Sequence, residues 1–243
     1  MCVVYDGSLE GFLTLIYDVY YSKLSPTSIL KVEPQELMYE PLHFIVTDTS
    51  KAHKVLESLV KKFSRQNYKK IFHIFLCDSI SFEMALVEYI MLGFKDQMHL
   101  ENITNASIFF LQNQERELLR LAHKMYGFTR FEELDDGTLY AKIETKYNVL
   151  PFLGEHFKRR LGNTPFIIHD IKRSLAYTYS KEEASIKNIA SFDTPTLSSH
   201  ELTIQMQWKT FFNHVAIETR RNEKLQKQLV PLLYRAYMRE FQQ

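Results

Sequence analysis

Apolar residues at Leu9, Phe12, Leu13, Ile16 and Tyr20 recur at the three-and-four spacing of a helix with one buried stripe. Ahead of them residues 3–5 read as a short strand, which Asp6-Gly7-Ser8 turns into that helix, and Ser25-Pro26 breaks it. Residues 42–46 suit a buried strand. Thr47 or Asp48 can cap a following helix whose inner face is Ala52, Val55, Leu56, Leu59, Val60 and Phe63. Two more helices are predicted over 67–77 and 81–94, the second with Ala85, Leu86, Tyr89 and Ile90 inward. A long one follows over about 106–126, with Leu111, Leu118, Ala122 and Met125 aligned and Gly127 as its stop.

The period then shortens. Residues 128–134 and 138–144 flank Asp136-Gly137, a strong hairpin signal. Asn148 can cap a helix over 149–161 that ends at Gly162. A second hairpin is predicted from 166–170 and 175–179 across Lys172-Arg173, with a third strand over 185–190. Residues 192–200 read as a loop, and a helix over about 202–229 leads to Pro231 and a last helical piece. Strands paired by hairpins with helices set apart from them predict an α+β fold and not a wound parallel sheet: a helix-rich N-terminal region over 1–100, and an antiparallel hairpin sheet with packed helices over 101–243.

Composition narrows the class. The 243 residues are 45% hydrophobic and 24% charged, with 18 Phe and 14 Tyr, which excludes extended disorder and predicts a core built on rings. Cys2 and Cys77 make no disulfide framework, and the most apolar windows are too short to span a bilayer, so a reduced, cytoplasmic protein is expected. Cys77 follows an apolar run and is expected to be a buried thiol.

A net charge of +1 hides an asymmetry. Residues 1–40 hold six acids against two lysines, net −4. Residues 146–180 hold six cations against two acids, net +4, and residues 208–239 seven against two, net +5. In the last helix Trp208, Phe211, Phe212, Val215 and Leu229 share one side, while Lys209, Asn213, Arg220, Lys224 and Lys227 project from the other. Cations so placed can track a phosphate backbone, and a solvated helix face accounts for them as well. The run His156-Phe157-Lys158-Arg159-Arg160 ends a helix, where cations also complement the helix dipole. Arg130, between Phe128 and Phe131, is expected half-buried and needs an acceptor: an internal carboxylate or a ligand phosphate, with Tyr140 across the hairpin to support either.

No glycine-rich phosphate loop, nucleophile elbow or metal-binding motif occurs. His214 and Glu218 are four apart on a helix, but a metal site would still need His123, His156 or His169 to converge on them, so no metal or cofactor is expected. Glu132-Glu133 and Asp135-Asp136 read as hairpin solubilisers.

From about residue 85 onward the order of motifs resembles a known family. The stretches are His123-Lys124-Met125-Tyr126-Gly127-Phe128-Thr129-Arg130-Phe131, Asp136-Gly137 with Tyr140-Ala141 and Ile143-Glu144, Tyr147-Asn148-Val149-Leu150-Pro151, His156-Phe157 with Arg159-Arg160, and 168–173. They continue with Trp208-Lys209, Phe212, Ile217, Arg220, Asn222, Pro231 and Tyr234, and the opening Tyr5-Asp6-Gly7-Ser8 with Gly11-Phe12 resembles its stand-alone members. It is an uncharacterised family of DNA-metabolism proteins that accompany a radical-SAM protein of DNA modification or repair; a related domain is fused to uracil-DNA glycosylases. Phe166 stands where relatives carry Trp, and Leu232-Leu233 where basic residues are expected. The resemblance implies a DNA-linked role and a radical-SAM partner. It does not imply an iron–sulfur cluster, which needs clustered cysteines.

Three functions fit these observations. The first is an accessory protein of DNA repair that contacts DNA through Arg130, Arg159, Arg160, Lys172, Arg173, Lys209, Arg220 and Lys224. The second is an enzyme acting on a nucleotide or base, with His123, Arg130 and His156 converging on a pocket. The third is a protein-interaction module that docks a partner on its acidic N-terminal part.

Overall fold

The computed structural model describes residues 1–32, 40–189, 196–215 and 222–242. The chain divides into two compact units, Met1–Leu118 and Leu119–Gln243, so the division falls later than residue 100 and inside a helix.

In the first unit β1 (Cys2–Val4) is the middle strand of a parallel sheet, flanked by β2 (Ser28–Leu30) and β3 (Leu42–Phe44). A central parallel strand is apolar on both faces, and all three of its residues are buried. The chain leaves β1 through a turn at Gly7, φ +76°, where Asp6 Oδ1 accepts from the Ser8 N–H and hydroxyl. Ser8 Oγ then caps α1 (Leu9–Tyr21) by accepting from Gly11 N. A Cβ on Gly11 would stand 2.2 Å from Asp6 Oδ1, so the turn requires glycine there. Of the two caps expected for α2 (Thr49–Lys62), Asp48 serves, accepting from Ser50 N and Lys51 N.

Next come α3 (Arg65–Phe75), α4 (Glu83–Lys95) and α5 (Ala106–Phe128). Phe12, Leu15, Ile16, Leu59, Ile71, Ile74, Phe82, Leu86, Tyr89, Ile90 and Leu111 form one core. Phe12, Ile16, Leu59, Leu86, Tyr89, Ile90 and Leu111 are inward as their spacing predicts, whereas Tyr20 and Val60, expected on the same inner faces, are exposed. Glu83 lies in it at 4% exposure and is satisfied by the Lys31 ammonium at 2.9 Å, the Tyr5 hydroxyl at 3.3 Å and the Phe82 N–H. Cys2 and Cys77 are both buried free thiols.

The second unit is a five-stranded sheet in the order β4-β5-β6-β7-β8: Glu132–Glu133, Leu139–Ile143, Phe166–Asp170, Leu175–Ser180 and Glu183–Asn188. The β4–β5 hairpin turns at Asp136-Gly137, with Gly137 at φ +80° and Asp136 Oδ1 accepting from Thr138 N. The sheet is mixed, not the purely antiparallel one expected. β5 and β6 run parallel because α6 (Leu150–Leu161) is a crossover between them, and only a crossover can return the chain in the same direction. The remaining pairs are antiparallel.

Period-two alternation gives the sheet an apolar face of Ala141, Ile143, Phe166, Ile168, Tyr177 and Tyr179, and α6 covers it. A Cβ on Gly154 of α6 would lie 2.1 Å from the Tyr177 ring, so this helix and sheet meet only through a glycine. The predicted C-terminal helix is present as α7 (Ser199–Val215) and α8 (Glu223–Leu229), and α9 (Leu232–Arg235) follows. The loop expected over 192–200 lies only partly within the described residues, and its last two residues open α7. No helix among the described residues is long and apolar enough to cross a membrane.

Candidate nucleic-acid interface

The second face of the five-stranded sheet is polar. Register places Lys142 of β5 beside His169 of β6, His169 beside Ala176 of β7, and Ala176 beside Lys187 of β8. One row thus carries two lysines and a histidine across four strands, and Lys142 and Lys187 are roughly 14 Å apart at ordinary strand spacing. The next row holds Tyr140, Ile167, Thr178 and Ser185, and the last two share a hydroxyl hydrogen bond of 2.9 Å. Neither lysine makes an ion pair among the described residues; Lys142 stands 5.7 Å from the Tyr140 ring centre.

The tail after Pro231 lies over the β4–β5 end of this face. The Tyr237 hydroxyl donates to Glu144 at 3.1 Å, and Arg239 Nε donates to Glu132 at 2.7 Å. Between tail and strands is a cleft of about 210 Å³ lined by Arg130, Glu132, Tyr140, Lys142, Tyr237 and Arg239. Arg239 is neutralised by Glu132, and Arg130 by Glu240, so Lys142 supplies the uncompensated positive charge. Burial, with Glu132 adding to it, pushes the Tyr140 phenol up to about 12, so it stays protonated and shares a 2.9 Å hydrogen bond with His169 Nδ1. Burial also holds His169 below its ordinary value; Asp170 opposes this and Lys142 reinforces it. The row is therefore one of positive and neutral groups at neutral pH, suited to an anion such as phosphate.

The cations singled out by sequence fall into separate places. Arg130 finds the internal carboxylate: its Nη2 and Nε bond Glu240 Oε1 at 2.7 and 3.2 Å, and Nη1 donates to Gly127 O. Trp208 Nε1 donates to the other Glu240 oxygen. Burial raises the Glu240 carboxyl, but the Arg130 and Trp208 bonds outweigh it, and the net is a lowered value. Arg173 is 9% exposed and held by Asp170 at 2.7 Å, Thr145 O at 3.1 Å and Lys146 O at 2.9 Å, which makes it a clamp on the β6–β7 turn.

Arg159 and Arg160 are exposed in the last turn of α6, Arg159 with its Nε on Glu155 O. Lys172 is exposed at the opposite end of β6 from them, so the three do not form one patch. Lys209 is half-buried on α7, Lys224 is exposed on α8, and Arg220 lies outside the described residues.

His123 and His156 are brought together only through Tyr126, which stacks on His156 at 4.0 Å and meets His123 edge-on at 6.1 Å. Burial, then the neighbouring Arg160 and Arg159, lowers the His156 pKa. Arg130 points instead to the tail. No group of three or more metal-ligating side chains occurs among the described residues, and Glu218, the partner considered for His214, lies outside them.

A family model described as a domain of unknown function, DUF4130, matches residues 81–240. The chain belongs to this family. The DUF4130 match contains α4, α5, the whole five-stranded sheet and nearly all of the tail, so the polar face is built from it, as is the cleft apart from Gln242. No curated protein matches the chain.

Lys142, Lys187 and Arg239 were not among the predicted contacts. Lys142 and Lys187 were findable, since each is the outward residue of an alternating segment, Leu139-Tyr140-Ala141-Lys142-Ile143 and Ala184-Ser185-Ile186-Lys187. Their alignment was not, because it depends on the parallel β5–β6 register.

Proposed function

We propose that the chain is an accessory protein of DNA metabolism that holds nucleic acid by its phosphates on the polar sheet face, with no covalent chemistry of its own. The observation that carries this reading is the Lys142–His169–Lys187 row: two lysines without ion pairs on a sheet face whose other cations are internally neutralised. Phosphate contact of this kind is independent of base sequence and steeply salt-dependent. Arg159 and Arg160 lie on α6, across the sheet from this row, and Lys172 at the far end of β6, so they are separate from the contact made on the polar face.

The working partner is a radical-SAM enzyme, on the resemblance of the motifs. Met206, Phe211, Leu225, Leu229 and Leu232, each about half exposed or more, offer such a protein an apolar surface. The acidic N-terminal part is a poorer dock, since Asp6, Asp18 and Glu40 are all engaged within the unit. An enzyme built on His123, Arg130 and His156 is the weaker reading, because Arg130 is committed to Glu240 while the histidines flank Tyr126.

Fluorescence anisotropy with single-stranded, duplex and uracil-containing DNA across a salt series tests the proposal. Binding that weakens linearly in log salt, with a shallower slope for Lys142→Glu/Lys187→Glu, is expected. Absence of binding to any of the three at 50 mM salt would overturn it.

A further inference from the structure

The end of α1 in the N-terminal unit leaves two rings in solvent: Tyr20 is 41% exposed and Tyr21 62%. They meet each other at 5.0 Å, and Tyr20 meets Phe94 of α4 edge-on at 5.6 Å. Together with the α2 face these rings wall a groove whose floor includes Ile16 and Val55. Lysines surround it. Lys54, Val55, Ser58 and Lys62 recur along α2 at helical spacing on that side, and the two lysines are about 12 Å apart along the axis. Lys62 stands 5.5 Å from the Phe94 ring and Lys23 5.7 Å from Tyr20. Neighbouring Lys51 is neutralised by Asp18 at 2.7 Å, whereas Lys23, Lys54 and Lys62 have no ion pair among the described residues.

We propose that this groove binds single-stranded nucleic acid, with bases stacked on Tyr20 and Tyr21 and phosphates held by Lys54 and Lys62. Exposed rings beside uncompensated lysines are complementary to such a strand in both of its parts: every base has a π face, and each linkage carries one negative charge. A duplex keeps its bases stacked on one another and cannot use the tyrosines. A purely apolar partner would have to bury three unpaired ammonium groups. The site lies in a different unit from the sheet face and does not depend on that reading.

The test uses the full chain and a fluorescein-labelled 12-mer of thymidines at 50 mM salt. Tyr20→Ala/Tyr21→Ala is expected to weaken binding by about tenfold or more with the salt slope unchanged, and Tyr20→Phe/Tyr21→Phe to keep wild-type affinity. Lys54→Ala/Lys62→Ala is expected to flatten the slope by about 1.4. Lys142→Glu/Lys187→Glu serves as the control: the alanine pair made in that background must still lose its tenfold, even if the sheet face binds nothing. All these side chains but the half-buried Lys142 are exposed, and circular dichroism checks that the fold is kept. Wild-type affinity in the alanine pair, equal losses in the alanine and phenylalanine pairs, or no binding of the 12-mer by the wild type would each overturn the proposal.

Discussion

Charge is used differently in the two units, although both are built on small sheets. In the N-terminal unit, which reads as acidic, the carboxylates of the opening segment hold local structure: Asp6 takes the Ser8 and Thr47 hydroxyls, Asp18 takes Lys51, and Glu40 the chain's own amino terminus. The C-terminal unit, which reads as basic, divides its cations. Arg130, Arg173 and Arg239 are locked onto Glu240, Asp170 and Glu132, while Lys142 and Lys187 stand on the polar face without an ion pair among the described residues. Arginine, with its planar fork, fills the internal positions, while Arg159 and Arg160 join the lysines at the surface. A run of charge along a sequence therefore measures supply and not availability, and the net +5 of the last stretch overstates what a polyanion can reach.

The sharpest way to break the contrast is to remove an internal anchor from each unit. Asp170→Ala would take the carboxylate from the buried Arg173 guanidinium and should cost about 3–5 kcal/mol in chemical denaturation. Glu83→Ala would take it from Lys31, which is 33% exposed, and should cost less, about 1–3 kcal/mol. A loss under 1 kcal/mol at either position would mean that the clamp is ornamental. Glu240→Gln should likewise cost about 1–3 kcal/mol, because Arg130 is partly exposed and keeps its bond to Gly127 O.

Acid should reproduce that loss. A carboxyl whose folded pKa is depressed contributes its full stability above its unfolded value, about 4.3, and loses it as pH falls through the lower folded value. The wild type should thus lose stability over that window, and Glu240→Gln should lose less of it. His169, also depressed, acts in the same direction at higher pH: stability should begin to fall as pH drops below about 6.5. The smallest effect belongs to the surface lysines. Lys142→Ala and Lys187→Ala should each change stability by no more than about 0.5 kcal/mol, and a larger loss would move them into the internal class.

Much of the fold was legible because its signals are local. The stripe of Leu9, Phe12, Leu13 and Ile16, the Asp48 cap and the Asp136-Gly137 turn each specify their own element. What failed depends on pairing. β2 has only Ile29 buried in three residues and carries no pattern. The parallel β5–β6 pair was hidden because α6 was read as a helix set beside the sheet and not as the link between two of its strands. The unit boundary falls inside α5, where an unbroken helical period gives no sign of it. At the candidate site, the need of Arg130 for an acceptor was legible from its apolar neighbours. That the acceptor is Glu240, 110 residues away, was not.

The measurement closest to the central claim is the salt dependence of duplex DNA binding by the wild type and by Lys142→Glu/Lys187→Glu. If the polar sheet face carries the phosphates, the variant's log-affinity slope should be shallower by about 1.8, at roughly 0.9 per lost contact, with its melting temperature little changed. A wild-type slope and affinity in the folded variant would contradict the account and take the sheet face out of nucleic-acid contact.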